Sequence, residues 1–164
     1  DDRPSIVDSK ERLGDWEIDT VLGKHGTGAM VTILERKTRF YVVKKVPSKS
    51  ADDVTKATIE LLMPYKEHVH TITADNGREF AGHETIAKAL EADVYFAHPY
   101  SSWERGANEN ANGLLRQYVK KGTDLTTVTD SDIEFAVSRI NYRPKKCLDF
   151  KQPAIVFKEM VLAA

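Results

Sequence analysis

Three runs of β-branched and aromatic residues near the start of the chain limit what it can fold into. WEIDTVL, from Trp16 to Leu22, alternates so that Trp16, Ile18, Thr20 and Leu22 share one face of a strand and Glu17, Asp19 and Val21 the other. A turn through Gly23, Gly26 and Gly28 leads to AMVTILER from Ala29, and RFYVVKKV from Arg39 follows after only Lys37 and Thr38. A two-residue connection predicts a hairpin, and the three runs together predict an antiparallel meander.

After the meander the period changes. Ser50 with Asp53 three residues on has the pattern of a capping box, and Val54, Thr58, Leu61, Leu62 and Tyr65 give the following helix an apolar stripe that Pro64 ends. HTITAD, residues 70–75, reads as a strand reached through that helix and therefore parallel to its neighbour. A short helix from Glu84 to Leu90 leads to a fifth strand, VYFAH, residues 94–98. An amphipathic helix is predicted within PYSSWERGANENANGLLRQYVK, residues 99–120, and a last one from a Thr129 cap with Asp132 at its third position, carrying Ile133, Ala136, Val137 and Ile140 and ending at NYRP. Residues 1–13 show no periodicity and read as an extended lead-in to one domain over 14–164. The order predicts an α/β protein: a mixed five-stranded sheet, three antiparallel strands then two parallel, flanked by helices, with the connectivity of the ribonuclease H-like fold.

Composition bounds the rest. The 164 residues are 41% hydrophobic, and no apolar run approaches the roughly 18 residues of a membrane span. The start has no signal-peptide character and lacks Met, which leads us to expect a cytoplasmic piece of a longer chain. The single Cys147 permits no internal disulfide and suits a reducing compartment. A net charge of -1 argues against a dedicated DNA clamp, although Lys44, Lys45 and Lys49, then Lys120 and Lys121, then Arg143, Lys145 and Lys146 lie in basic clusters.

Asp19 lies within a run expected to form a central strand, where an unpaired buried carboxylate is costly. Asp75 ends the fourth strand. Glu109 lies on the amphipathic helix, in a polar sector with Arg105, Asn112 and Arg116 that has Asn108 and Lys120 at its edges; Ala107, Ala111, Leu114, Leu115 and Tyr118 are opposite. These places would bring the three acids together. Converging carboxylates repel unless cations lie between them, and hard oxygen donors suit Mg²⁺ or Mn²⁺. Two such ions roughly 3.5–4 Å apart activate the attacking oxygen and stabilise the leaving oxygen in displacement at phosphorus. Arg105, Asn112, Arg116 and Lys120 are candidates for phosphate contacts, and Asn76 either orients a ligand or makes a turn. Trp103 is either a packing residue or a base-stacking platform, with packing favoured. His98 follows the fifth strand near the acids. The glycines of GKHGTG, with His25 among them, read as a hairpin loop: no Gly-Lys-Ser/Thr ending or helix follows.

The segments GDWEIDTV, VTILERKTRFYVVKKV, ITADNGREFAGH, HPYSSWERGANENANGLLRQY and NYRPKKCLDFKQP resemble the catalytic core of insertion-sequence transposases of the IS-thirty family, and more distantly retroviral integrase cores. The resemblance runs from about Leu13 to Phe157, and DNGREF and WERGANENANGLLRQY are its most specific parts. It implies that Asp19, Asp75 and Glu109 are a DDE triad, Glu109 being preferred to Glu104 because it lies in the NEN segment. It further implies two Mg²⁺, with Mn²⁺ able to substitute. The implied reaction is water-driven nicking at the element's end, then attack of the freed 3′ hydroxyl on target DNA. DNA is the implied partner, as terminal inverted repeats and target, and a homodimer or higher oligomer brings two ends together beside the bacterial nucleoid. N-terminal DNA-recognition helices of such proteins are expected to lie outside this chain. A related nuclease or resolvase without strand transfer, or an inactive binding or oligomerisation module, are the alternatives.

Overall fold

The structure, a computed structural model, describes residues 3–98 and 106–164. The meander forms as β1 (Asp15–Leu22), β2 (Ala29–Glu35) and β3 (Tyr41–Val46), each antiparallel to the next. The chain then crosses through α2 (Ala51–Leu62) to β4 (Thr71–Ala74), which pairs parallel to β1, and through α3 (His83–Leu90) to β5 (Asp93–Phe96), parallel to β4. The sheet order is β3-β2-β1-β4-β5, so β1 is its central strand. Three further helices follow, α4 (Gly106–Leu115), α5 (Asp130–Asn141) and α6 (Pro153–Ala163), and one short helix, α1 (Ser5–Ser9), precedes the sheet.

Alternation along β1 and β2 divides the interior into two cores. Trp16 and Ile18 of β1 with Val31 and Ile33 of β2 face α2, α3 and α6, where Val54, Leu62, Ile86, Leu90 and Phe157 complete one cluster. Val21, Met30, Leu34 and Tyr41 face the other way and pack with Ala111 and Leu115 of α4 and Ile133, Ala136 and Ile140 of α5. Asn141 ties α5 to β3: its side chain accepts from the Tyr41 N–H at 2.9 Å and donates to the Tyr41 carbonyl at 2.8 Å.

Four local expectations are corrected. Residues 5–9 of the lead-in are helical: Val7 is fully buried, its carbonyl accepts from Arg36 Nε at 3.1 Å, and Arg3 pairs with Asp8 across the turn. At α2 only half of the capping box forms. Ser50 Oγ accepts from the Asp53 N–H, but the Asp53 carboxylate accepts from Ser48 Oγ at 2.6 Å instead of reaching back; at α5 both halves form, as expected for Thr129 and Asp132. The described part of α4 stops at Leu115, five residues before Lys120, because its bonds tighten to i→i+3 spacing at Gln117 and Tyr118. The chain then turns so that the Thr123 carbonyl accepts from the Lys24 N–H at 2.7 Å. Tyr118, expected on the apolar face, is consequently 43% exposed. Finally, α6 is a helix the residue pattern did not announce.

Candidate active site

Parallel pairing of β1 with β4 matches Asp15 to Thr71, Trp16 to Ile72 and Glu17 to Thr73. Carried two residues past the end of the ladder, the same offset sets Asp75 opposite Asp19, and residues matched across parallel neighbours project from the same face of a sheet. Both acids are half-buried. Asp19 Oδ1 accepts from the Thr20 N–H at 2.8 Å and its Oδ2 from Asn112 Nδ2 at 3.1 Å. Asp75 Oδ1 accepts from the Gly77 N–H at 2.8 Å, closing the turn that exposes Asn76. Glu109 is exposed on α4, one turn before Asn112. Among the described residues no three His, Cys, Asp or Glu side chains are grouped closely enough to hold one metal ion. The fold thus places Asp19 within β1 and Asp75 just past the end of the adjacent β4, and leaves Glu109 outside a shared cluster.

The polar stripe divides into residues with different tasks. Asn112 was expected to face DNA, yet both ends of its amide are engaged inside the protein: Nδ2 donates to Asp19, and Oδ1 accepts from Tyr41 Oη at 2.6 Å. Burial pushes the Tyr41 phenol well above its ordinary range, with the nearby Asp19 charge adding to the shift and a Thr32 hydrogen bond opposing it. It therefore stays a proton donor, and Asn112 relays its hold to Asp19. Arg116 lies just past α4 and donates through Nη2 to the Leu22 carbonyl at 2.9 Å; Nη1 is buried with no partner among the described residues. Lys120 is exposed beyond the helix. Arg105, with Trp103 and Glu104, lies outside the described residues. His98 and His25 are exposed, as is Cys147.

Glu17 and Glu79 belong to this neighbourhood and escaped the residue pattern, and Asn108, expected at the edge of the polar stripe, is fully buried. Glu79 is 5% exposed, accepts from Thr20 Oγ1 at 2.8 Å and pairs with Lys49 at 3.1 Å. It crowds Asp75: a Cβ on Gly77 would lie 2.0 Å from Glu79 Oε1 and 2.8 Å from Asp75 Oδ1, so a larger residue there would push these carboxylates aside. Burial raises the Glu79 carboxyl, but the hydrogen bonds from Thr20, its own N–H and Lys49 outweigh it and hold it below the usual carboxylate range. A folded-state value below the unfolded one gives stability that is present above the ordinary carboxylate range, about pH 4.3, and lost as pH falls through the lower folded value. The stability gap between the native protein and Glu79→Gln should therefore narrow below about pH 4, as read from denaturant midpoints between pH 3 and pH 7. Glu17, Asn108 and Arg36 form a buried network beneath α4. Burial pushes the Glu17 carboxyl up against the opposing pull of Arg36 and the Asn108 N–H, and pushes the Arg36 guanidinium down. An acid on the same strand face as Asp19 was the signal available for Glu17; nothing in the sequence paired it with Arg36.

A family model described as Integrase core domain matches residues 10–102. That is more than half of the 164-residue chain. The chain belongs to the integrase core domain family. The transposase for insertion sequence element IS4351 of Bacteroides fragilis is 49% identical over 161 residues, 98% of this chain and 49% of the relative. A probable transposase for IS1161 of Streptococcus salivarius is 41% identical over 96% of this chain and 45% of its own length, and the transposase InsI for IS30A of Escherichia coli K12 is 32% identical over 98% and 42%. The integrase core thus spans about half the length of the curated relatives it matches. The solved catalytic core domain of BIV integrase superposes with a TM-score of 0.72 at 17% identity, covering 92% of this chain and 97% of that one. A chain of the simian T-cell lymphotropic virus intasome in complex with PP2A regulatory subunit B56 gamma superposes equally, at 0.72 and 15% identity over 89% and 54%. The fold is therefore that of integrase catalytic cores, the ribonuclease H-like arrangement expected from the element order.

Membership of the family implies use of a divalent metal ion. The donors fit a hard cation: Asp19 on β1 and Asp75 just past β4 are half-buried carboxylates, matched when the β1–β4 register is carried on by two residues, and carboxylate oxygens are hard ligands. Among the described residues no helix is long and apolar enough to cross a membrane.

Proposed function

We propose that the chain is the catalytic core of a DNA transposase, which cleaves a strand at the ends of a mobile element and transfers the 3′ hydroxyl to target DNA. The observation that carries this reading is the β1–β4 register, which sets Asp75 opposite Asp19 in a chain of the integrase core family. Asp19, Asp75 and Glu109 would hold two Mg²⁺, replaceable by Mn²⁺. When bound, such ions activate an attacking oxygen and stabilise the leaving one. Asp19 is held from behind by Asn112 and Tyr41, so that its carboxylate presents one orientation. Glu109 would move in from its exposed position when the site is filled, because the repulsion that keeps three carboxylates apart is then neutralised.

The DNA backbone would run beside this site. Thr20, Leu22, Gly23, Lys24, His25, Lys49, Arg116 and Lys121 line a cavity of about 610 Å³ next to Asp19, with cations from three separate stretches of chain and no acid among the described lining residues. Phosphate held there keeps a strand in register without reading its sequence. Lys120 extends the proposed contact surface, Asn76 stands exposed beside Asp75, and Arg105 is proposed as a phosphate contact from its place in the sequence alone. Two copies of the chain would act together on two element ends at the bacterial nucleoid, and the segments the longer relatives carry would supply site recognition.

Nicking of labelled terminal-repeat DNA in Mn²⁺ tests the proposal. Glu109→Gln should cut at least ~100-fold more slowly, about 3 kcal/mol of lost transition-state stabilisation. Products joined to a second DNA separate a transposase from a simple nuclease; equal cutting by the two proteins would remove Glu109 from the site.

A further inference from the structure

Glu17 is fully buried on the face of β1 that looks towards α4, two residues before Asp19. Its Oε2 accepts from Arg36 Nη1 at 2.6 Å, and its Oε1 accepts from the backbone N–H of Asn108 at 2.9 Å. Asn108 is also fully buried. Its Nδ2 donates to the Glu17 carbonyl at 3.0 Å, and its Oδ1 accepts from Thr32 Oγ1 at 3.3 Å. Both the side chain and the main chain of Glu17 therefore grip the residue immediately before Glu109.

A buried ion pair is a poor way to gain stability, since apolar residues of similar volume commonly do as well or better. This one has a second task. The first turn of a helix carries N–H groups with no partner inside the helix, and an acceptor there, above all a negative one, fixes the helix start. Near the described start of α4, the Asn108 N–H finds its acceptor in Glu17, 91 residues away.

The attachment is also repeated along the two elements. Glu17 meets Asn108, and Asp19 meets Asn112. Two residues along a strand advance about 6.6 Å, and four along a helix about 6.0 Å, so the two pairs hold α4 alongside β1 at matched steps. Glu109 lies between the two attachment points. We propose that Glu17, charge-balanced by Arg36, is a positioning residue that sets where Glu109 stands relative to Asp19.

This proposal rests on the metal-site reading above, and the test separates the two. Glu17→Gln/Arg36→Met removes both charges but keeps an acceptor oxygen for the Asn108 N–H; Glu17→Leu/Arg36→Met removes the charges and the acceptor. Both lack the Arg36 bond to Val7, so they share any loss from that. Hydrogen exchange at the Asn108 amide, Mn²⁺ binding followed by electron paramagnetic resonance without DNA, and nicking kinetics are then compared. In the Leu/Met protein the Asn108 amide should exchange at least ~10-fold faster. Mn²⁺ affinity should fall ~10-fold, the range seen when groups behind metal ligands are removed. Turnover should drop with the KM for DNA unchanged, and the Gln/Met protein should recover most of each property. Adding Glu109→Gln should weaken Mn²⁺ binding in the native background and have little further effect in Leu/Met, because the carboxylate is already misplaced there. If Leu/Met holds Mn²⁺ as the native protein does, the network is only structural and the proposal fails. If neither the native protein nor any variant cuts DNA, the transposase reading fails, while amide exchange and Mn²⁺ binding still decide the role of Glu17.

Discussion

Asp19→Asn is expected to lower metal-dependent strand cleavage by ~10³-fold, because a lost metal ligand forfeits several kcal/mol of charge stabilisation in the transition state. The same change should scarcely disturb the fold. Asp19 accepts from Asn112 Nδ2, and Asn112 accepts from the Tyr41 hydroxyl. An asparagine at position 19 can turn its own amide towards Asn112, which can flip because the Tyr41 hydroxyl oxygen can also accept a hydrogen bond. The polarity of the chain then reverses, and the Tyr41 hydroxyl proton turns towards Thr32. We therefore expect a thermal midpoint within ~4 °C of the native value, a shift that corresponds to about 1–2 kcal/mol in a chain of this size. Cleavage that persists in Asp19→Asn would dismiss the site, whatever the stability.

Arg36→Met should instead bring a large loss of stability. Glu17 and Arg36 are 0% and 2% exposed as side chains and lie 2.6 Å apart. Removing one partner leaves the other charge buried without compensation, at a cost of about 3–5 kcal/mol, or a fall of ~6–20 °C in the thermal midpoint. The deficit should depend on pH. Burial already raises the Glu17 carboxyl, and loss of Arg36 removes the main force opposing that rise. A folded-state value above the unfolded one means that stability is recovered as pH falls through it, so the gap from the native protein should shrink between pH 7 and pH 5. Glu17→Leu added to Arg36→Met should restore most of the loss at neutral pH, since the double change leaves no buried charge. A pH-independent deficit in the single variant would show that Glu17 is not the group left stranded.

The strands were legible because their residues specify them locally. The β-branched runs around Ile18, Val31 and Val43 need no distant partner to be strands, and the Lys37–Thr38 step needs none to be a turn. Asp19 was legible as an acid out of place in a central strand. Glu17 carries the same anomaly on the same face, but its reason lies in Arg36 at the end of β2 and in an amide of α4, and contacts between separate elements leave no period in a sequence. The helical pattern from Ala107 onward placed Ala111 and Leu115 inward correctly, yet the same pattern continues past Leu115, where contacts between the 120s and the β1–β2 loop end the helix. Asn112 shows the remaining difficulty. Its place on the polar stripe was right, but whether an amide there meets solvent, DNA or a carboxylate is settled by what packs opposite it.

Because the two aspartates are matched by strand register and not by distance along the chain, insertions and deletions fall unequally on this molecule. The crossover through α2 lies on the outside of the sheet, and its loops can lengthen with little entropic cost. Such a change moves Asp75 in the numbering and leaves it opposite Asp19. A single residue added within β1, between Glu17 and Asp19, turns one of the two carboxylates to the wrong side. Related sequences should therefore vary freely in the spacing between their first two acids and hold the two-residue step from buried glutamate to aspartate, and grafts or linkers intended to preserve activity belong in the crossover.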